Sequence, residues 1–106
     1  MKLYITLQIT KNINSENHKV IGVYKDYNQA KKDIELNNAN DIVEVDFSEN
    51  NIDSVLLLFY RTSNVYLSPE QDRYVGCFLN QKEIDSFLKE NKSLYGQYLT
   101  SEIKII

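Results

Sequence analysis

The chain has 106 residues, 12 basic against 15 acidic, a formal charge of −3 and an apolar content of 42%, which places it among ordinary globular chains and outside the disordered and collagen-like classes. One cysteine, Cys77, and one histidine, His18, exclude an internal disulfide and a Cys/His zinc site, and no cofactor is expected. No apolar run reaches the length of about 18 residues that crosses a bilayer, and a pI near 5.1 with interspersed charges argues against neutralising a phosphate backbone, so the expectation is a cytoplasmic protein that engages neither membrane nor nucleic acid directly.

Residues 2–10 alternate, with Leu3, Ile5, Leu7 and Ile9 on one side and Lys2, Tyr4, Thr6, Gln8 and Thr10 on the other, the period of a strand with one buried face. Residues 12–18 are rich in turn formers and read as a loop, which makes His18 an exposed loop residue. Residues 19–25 return as a second strand. Asp26, followed three residues later by Gln29, is a capping-box start, and Tyr27, Ala30, Ile34 and Leu36 keep helical spacing until residues 37–40 end the helix. Residues 41–47 form a third strand with Val43, Val45 and Phe47 on one face. The acidic stretch 46–53 has oxygen-bearing side chains in calcium-loop spacing, but Asn51 stands where the sharp turn needs glycine and Leu57 where a bidentate glutamate is needed, so it reads as a solvated connector.

Residues 55–60 are apolar on both parities, which predicts a central strand covered on both faces. Ser68, Pro69, Glu70 and Asp72 make a turn, and residues 73–79 form a partner strand. Asn80 with Glu83 caps a helix carrying Ile84, Phe87 and Leu88, and a closing strand falls within residues 98–106. The second half echoes the first at an offset of 54, which lays Leu57 on Leu3, Gly76 on Gly22, Phe78 on Tyr24, Ile84 on Ala30 and Leu88 on Ile34. The expected fold is α+β: one domain over residues 1–106, made of two tandem strand-strand-helix-strand units, about 1–53 and 54–106. The units share one mainly antiparallel sheet with the helices packed on it. Residues 3–9 or 103–106 are expected at a sheet edge that a second copy covers, giving a homodimer.

Catalysis is not expected. His18 and Cys77 have no evident triad partners, and the isolated Gly22, Gly76 and Gly96 make no phosphate cradle. Glu44 and Asp46 share a strand face as solvated carboxylates. The informative departure is Arg61, which stands at the position of Leu7 on the apolar parity. Arg73 opens the strand paired with it, so the two arginines are expected to meet, with Tyr60, Tyr66 and Tyr74 around them. Tyrosine with arginine is the composition of binding hot spots, since it offers large area, little entropy loss and hydrogen bonds. The competing reading has the arginines bridging to Glu70 or Asp72 at the sheet end.

The run Val20-Ile-Gly-Val-Tyr24, followed by Asp26 and a helix containing Ala30, resembles the hairpin-to-helix motif of small phage and prophage accessory proteins. The resemblance implies a compact protein that acts in the host cytoplasm by binding a component of host defence, as anti-CRISPR and related inhibitors do; no catalytic residue comes with it. The first expectation is therefore a non-catalytic inhibitor of a host protein. The alternatives are a sponge in which Arg61, Arg73 and the tyrosines hold a signalling nucleotide, and an immunity or antitoxin-like partner.

Overall fold

The computed structural model describes residues 1–13, 15–64, 68–91 and 97–106, with the side chains of 63, 64 and 68–70 left aside. Its elements run β1 (Lys2–Asn12), β2 (Ser15–Tyr24), α1 (Tyr27–Glu35), β3 (Asp41–Asp46), β4 (Ser54–Asn64), β5 (Ser68–Phe78), α2 (Gln81–Asn91) and β6 (Gln97–Lys104). The chain is mixed α and β, and mostly strand. Among the described residues no helix is long and apolar enough to cross a membrane.

The strands form two antiparallel sheets of three, in the orders β2-β1-β3 and β5-β4-β6, and not the single sheet expected. Each central strand takes both of its neighbours from its own half of the chain, so among the described residues no strand of one half is a sheet neighbour of a strand of the other. The expected edge at residues 3–9 is also corrected, because β1 lies between β2 and β3. Its alternating side chains made it look one-sided, and the polar parity is covered instead by α1.

The main core lies between the sheets. Leu3, Ile5, Leu7 and Val23 of the first sheet meet Val55, Leu57 and Phe59 of the second, with Ile52 from the connector added. Fully burying each such side chain is worth about 1.5–3 kcal/mol. Leu57 and Leu58 are both fully buried, as apolarity on both parities predicts for a central strand, because α2 covers the opposite face by packing Phe87 on Phe78. On the first sheet, α1 sets Tyr27 against Tyr4 and Asp33 against Thr6 and Tyr24.

Helix ends follow local chemistry. Asp26 accepts from the Asn28 N–H, and Asn80 accepts from the Glu83 N–H while Glu83 accepts from the Leu79 N–H, so each helix starts where its capping residue stands. At the far end of α1, Asn37 takes a left-handed φ of 61°. The Asn38 N–H donates to Asp33 O and the Asn37 N–H to Ile34 O, a Schellman closure. Leu36 falls at the cap and is 69% exposed, so it lies off the buried helix face where the spacing had put it.

The loop expected over residues 12–18 is instead the tip of a hairpin, with Asn12 paired to Ser15 and Ile9 to His18. Both hairpin ladders slip by one residue at the same place. Thr6 faces Gly22 and Leu7 faces Val20, while Leu58 faces Gly76 and Phe59 faces Tyr74. The extra residues, Ile21 and Val75, each precede a glycine, and a Cβ on Gly22 would stand 2.7–2.8 Å from the Tyr24 ring. In this register Leu7 matches Phe59, and Ile9 matches Arg61. The gapless offset of 54 holds for β2 and β5 but is two residues off for β1 and β4. A two-residue slip preserves strand parity, which is why the apolar pattern concealed it.

Candidate functional site

Of the five residues singled out for binding, four can be placed; Tyr66, and the side chain of Glu70 offered as a bridge partner, fall outside the described residues. Arg61 is paired in register with Asp72, and Tyr60 with Arg73. Adjacent residues of a strand point to opposite faces, so the two arginines do not meet. Arg61 shares the inner face with Phe59 and Tyr74, whose rings make an edge-to-face contact at 6.2 Å. Tyr60 and Arg73 are on the outer face, in one row with Tyr98 of β6, and the Tyr60 and Tyr98 ring centroids are 5.0 Å apart.

Arg61 grips Asp72 through two parallel bonds, Nε to Oδ1 at 2.7 Å and Nη2 to Oδ2 at 3.0 Å, which satisfies the Asp72 bridge anticipated as the competing reading. This fork holds the Asp72 carboxyl below the usual carboxylate range, against a smaller opposing effect of burial. Arg73 instead reaches toward Glu16 of β2, at 3.9 Å.

The edges of β2 and β5 are joined by side chains. The Asp72 N–H donates to Asn17 Oδ1 and the Tyr74 N–H to His18 Nδ1, both at 2.9 Å, and the Glu16 N–H donates to Gln71 Oε1 at 3.1 Å. Since Nδ1 of His18 accepts, its proton sits on Nε2 and is given to Glu16 Oε2, 3.1 Å away. His18 is therefore a half-buried strand residue bound at both nitrogens, and not an exposed loop residue. Glu16 collects His18, Lys11 and Arg73, and these, His18 first, hold its carboxyl below the ordinary value.

Beside this seam a cleft of about 270 Å³ opens between β2 and the inner face of the second sheet. Val20, Phe59 and Leu99 form its apolar walls, and Lys19, Arg61, Asp72 and Ser101 border it. Cys77 packs half-buried against the core, and burial pushes its thiol up to about 12. Among the described residues no group of three or more His, Cys, Asp or Glu side chains stands ready for a metal ion.

Asn17, His18, Lys19, Tyr98, Leu99 and Ser101 escaped the sequence reading. Asn17 and His18 lie in a stretch whose polarity mimics a loop, Lys19 opens the strand read after it, and the last three are brought in by β6, whose register carries no local signal. No family model matches this sequence, nor does any curated protein or any solved structure.

Proposed function

We propose that the chain is a non-catalytic binding protein of the phage-type kind, which inhibits a host defence protein by occupying its surface in the host cytoplasm. The observation that carries this reading is the row Arg73, Tyr60 and Tyr98, abreast on three strands on the outer face of the second sheet. Rings and a guanidinium mounted on a sheet give a partner large amphipathic area at little cost in side-chain entropy. The non-catalytic part is supported by His18, both of whose nitrogens are engaged, and by the Cys77 thiol, which is held protonated. The phage-type part rests on the resemblance of residues 20–24 and the capped helix that follows. A partner that is protein and not nucleic acid suits an acidic chain.

A nucleotide sponge is less well supported, since Arg61 and Arg73 point to opposite faces and do not converge on one phosphate chain. We also infer one domain built of two units, about 1–53 and 54–106. The support is the recurring element order, the matching bulges before Gly22 and Gly76, and a core drawn from both halves.

The test is affinity capture from a bacterial host with the tagged chain, read by mass spectrometry, in parallel with a Tyr60→Ala/Arg73→Ala variant whose thermal unfolding is shown to be intact. One host polypeptide is expected with the wild type and is expected to be lost with the variant. Equal recovery by both overturns the surface, and a wild type that retains no host polypeptide overturns the inhibitor.

A further inference from the structure

Of the outer strands, β2 and β5 are fastened to each other through Asn17 and His18, while β3 and β6 close their sheets with no strand beyond them among the described residues. The Ile105 N–H donates to Asp53 O at the start of β4, so by alternation the main-chain groups of Tyr98, Thr100, Glu102 and Lys104 point away from β4. The row ends at Ile106, whose N–H and carbonyl on that side are taken by Val23 and Lys25. Among the described residues nothing meets the outward main-chain groups of Thr100, Glu102 and Lys104.

Such a row is a template for another strand, and the side chains beside it select which one. Laid antiparallel on a second copy about a two-fold axis, β6 pairs outward residues only with outward residues, and the possible registers differ in what they set face to face. Centring on Glu102 opposes that carboxylate with its own copy. Centring on Ile103 needs Ile106, which β2 already holds. Centring on Thr100 carries Lys104 past Gln97, the first residue of the strand. Centring on Ser101 pairs the whole row: Thr100 faces the partner's Glu102 and Tyr98 faces the partner's Lys104 on the outer face, while half-buried Leu99 meets the partner's half-buried Ile103 on the inner face. The other open strand, β3, holds Asp41, Glu44 and Asp46, so laying it on its own copy gathers carboxylates.

We propose that β6 pairs with β6 of a second copy of this chain, antiparallel and centred on Ser101, to give a two-fold dimer with a continuous sheet in the order β5-β4-β6-β6-β4-β5. The contact is one strand wide, which places it at the small, concentration-dependent end of specific interfaces. The axis stands perpendicular to the sheet, so each face keeps its side, and the rows of Arg73, Tyr60 and Tyr98 from both copies lie on one surface. The pairing draws on main-chain groups and does not rest on the inhibitor reading, so either can fail alone.

The test is sedimentation equilibrium of the full chain from micromolar to millimolar concentration. The apparent mass is expected to rise from 12.4 kDa toward twice that value. Thr100 is exposed, so its substitution should leave the monomer fold intact, as a thermal melt will show. Thr100→Glu opposes carboxylates at both symmetry-related places and is expected to weaken the dimer by about tenfold, whereas Thr100→Lys sets a cation against the partner's Glu102 and is expected to tighten it by about threefold. Under air oxidation Ser101→Cys is expected to form an intermolecular disulfide, since directly opposed residues of a non-hydrogen-bonded pair stand about 4.5 Å apart at Cα; Thr100→Cys, set against Glu102 and not against itself, is expected to cross-link far less. Three results overturn the proposal: a monomer mass throughout the range, Thr100→Glu and Thr100→Lys variants that associate alike, or a Thr100→Cys chain that cross-links as readily as Ser101→Cys.

Discussion

The Tyr24 hydroxyl donates to Asp33 Oδ2 at 2.7 Å, and 54 residues later the same pair of positions is held by Phe78 and Phe87, whose ring centroids are 5.4 Å apart. Each pair fastens a helix to the strand that precedes it. One uses a charge-assisted hydrogen bond, shared with the Thr6 hydroxyl at 2.9 Å, and the other uses aromatic contact. The ring at Tyr24 or Phe78 folds back over the glycine two residues before it, which is why both positions lack a Cβ.

Tyr24→Phe is expected to destabilise the fold by about 1–2 kcal/mol at neutral pH, the worth of a hydrogen bond to a charged group at a half-buried site. Tyr24→Phe/Asp33→Phe should recover part of this by copying the second helix, so that the double change costs less than the two single changes added together. Chemical denaturation of the four proteins measures the coupling directly.

Burial first, and then Asp33, pushes the Tyr24 hydroxyl up to about 12. The folded state thus favours the neutral phenol, and the stability linked to it is whole below the ordinary tyrosine value of about 10 and is lost as the pH rises from there toward 12. Tyr74 is shifted in the same direction by burial, so Tyr24→Phe should reduce the alkaline loss without abolishing it. Unfolding followed between those two pH values checks this.

Gly22→Ala is expected to cost about 1–3 kcal/mol, because the new methyl would overlap a ring that Asp33 holds in place. Gly76→Ala should cost less, since its nearest approach is 3.0 Å, to the Phe78 ring. Paired thermal melts give the order.

Ile84 is fully buried, and Ile84→Ala should cost about 2–5 kcal/mol. Ile34 and Leu88 are only half-buried, so the same truncation there should cost about 1–2 kcal/mol, less than helical spacing alone would suggest. Urea midpoints for the three variants test the ranking.

His18→Ala should destabilise by about 1–3 kcal/mol by leaving the Tyr74 N–H without its acceptor. His18→Asn, whose side-chain oxygen sits about where Nδ1 does, should recover most of that loss. Hydrogen exchange at the Tyr74 amide separates this local effect from a general loosening. In acid, Asp72 and Glu16, both held below the ordinary carboxyl value, contribute stability that is whole above about pH 4 and is lost as the pH falls further. Asp72→Asn/Glu16→Gln should flatten that part of the curve.

What the sequence disclosed was whatever is decided within a few residues. Asp26 and Asn80 mark helix starts because capping is a bond to the next turn, and the run at 55–60 marks a doubly covered strand because both of its parities are apolar. The separation into two sheets was not legible, since nothing local in β2 or β5 says which edge each will meet. Residues 15–18 were misread for a related reason. Asn17 and His18 are polar because their side chains accept amides from β5, and that looks the same as solvation. The arginines were assigned to one cluster because their strands do pair, but a single residue of register decides the face. Arg61 in turn slipped from the position of Ile9 to that of Leu7, an error of two that leaves parity untouched.

The bonds from Asn17 and His18 to β5 also bear on how this chain behaves when crowded. An outer strand presents a row of donors and acceptors on which a second molecule can grow a fibre. Along β5, the Asp72 and Tyr74 amides are already taken, and the far end of β2 is bound by Ile106, whose N–H donates to Val23 O and whose carbonyl accepts from Lys25. The common guards against such stacking are lysine or proline set along the rim. Here the flank is blunted by an amide and an imidazole lent from the opposite sheet, so a chain that lost both would turn an inert border into an adhesive one while its core remained whole.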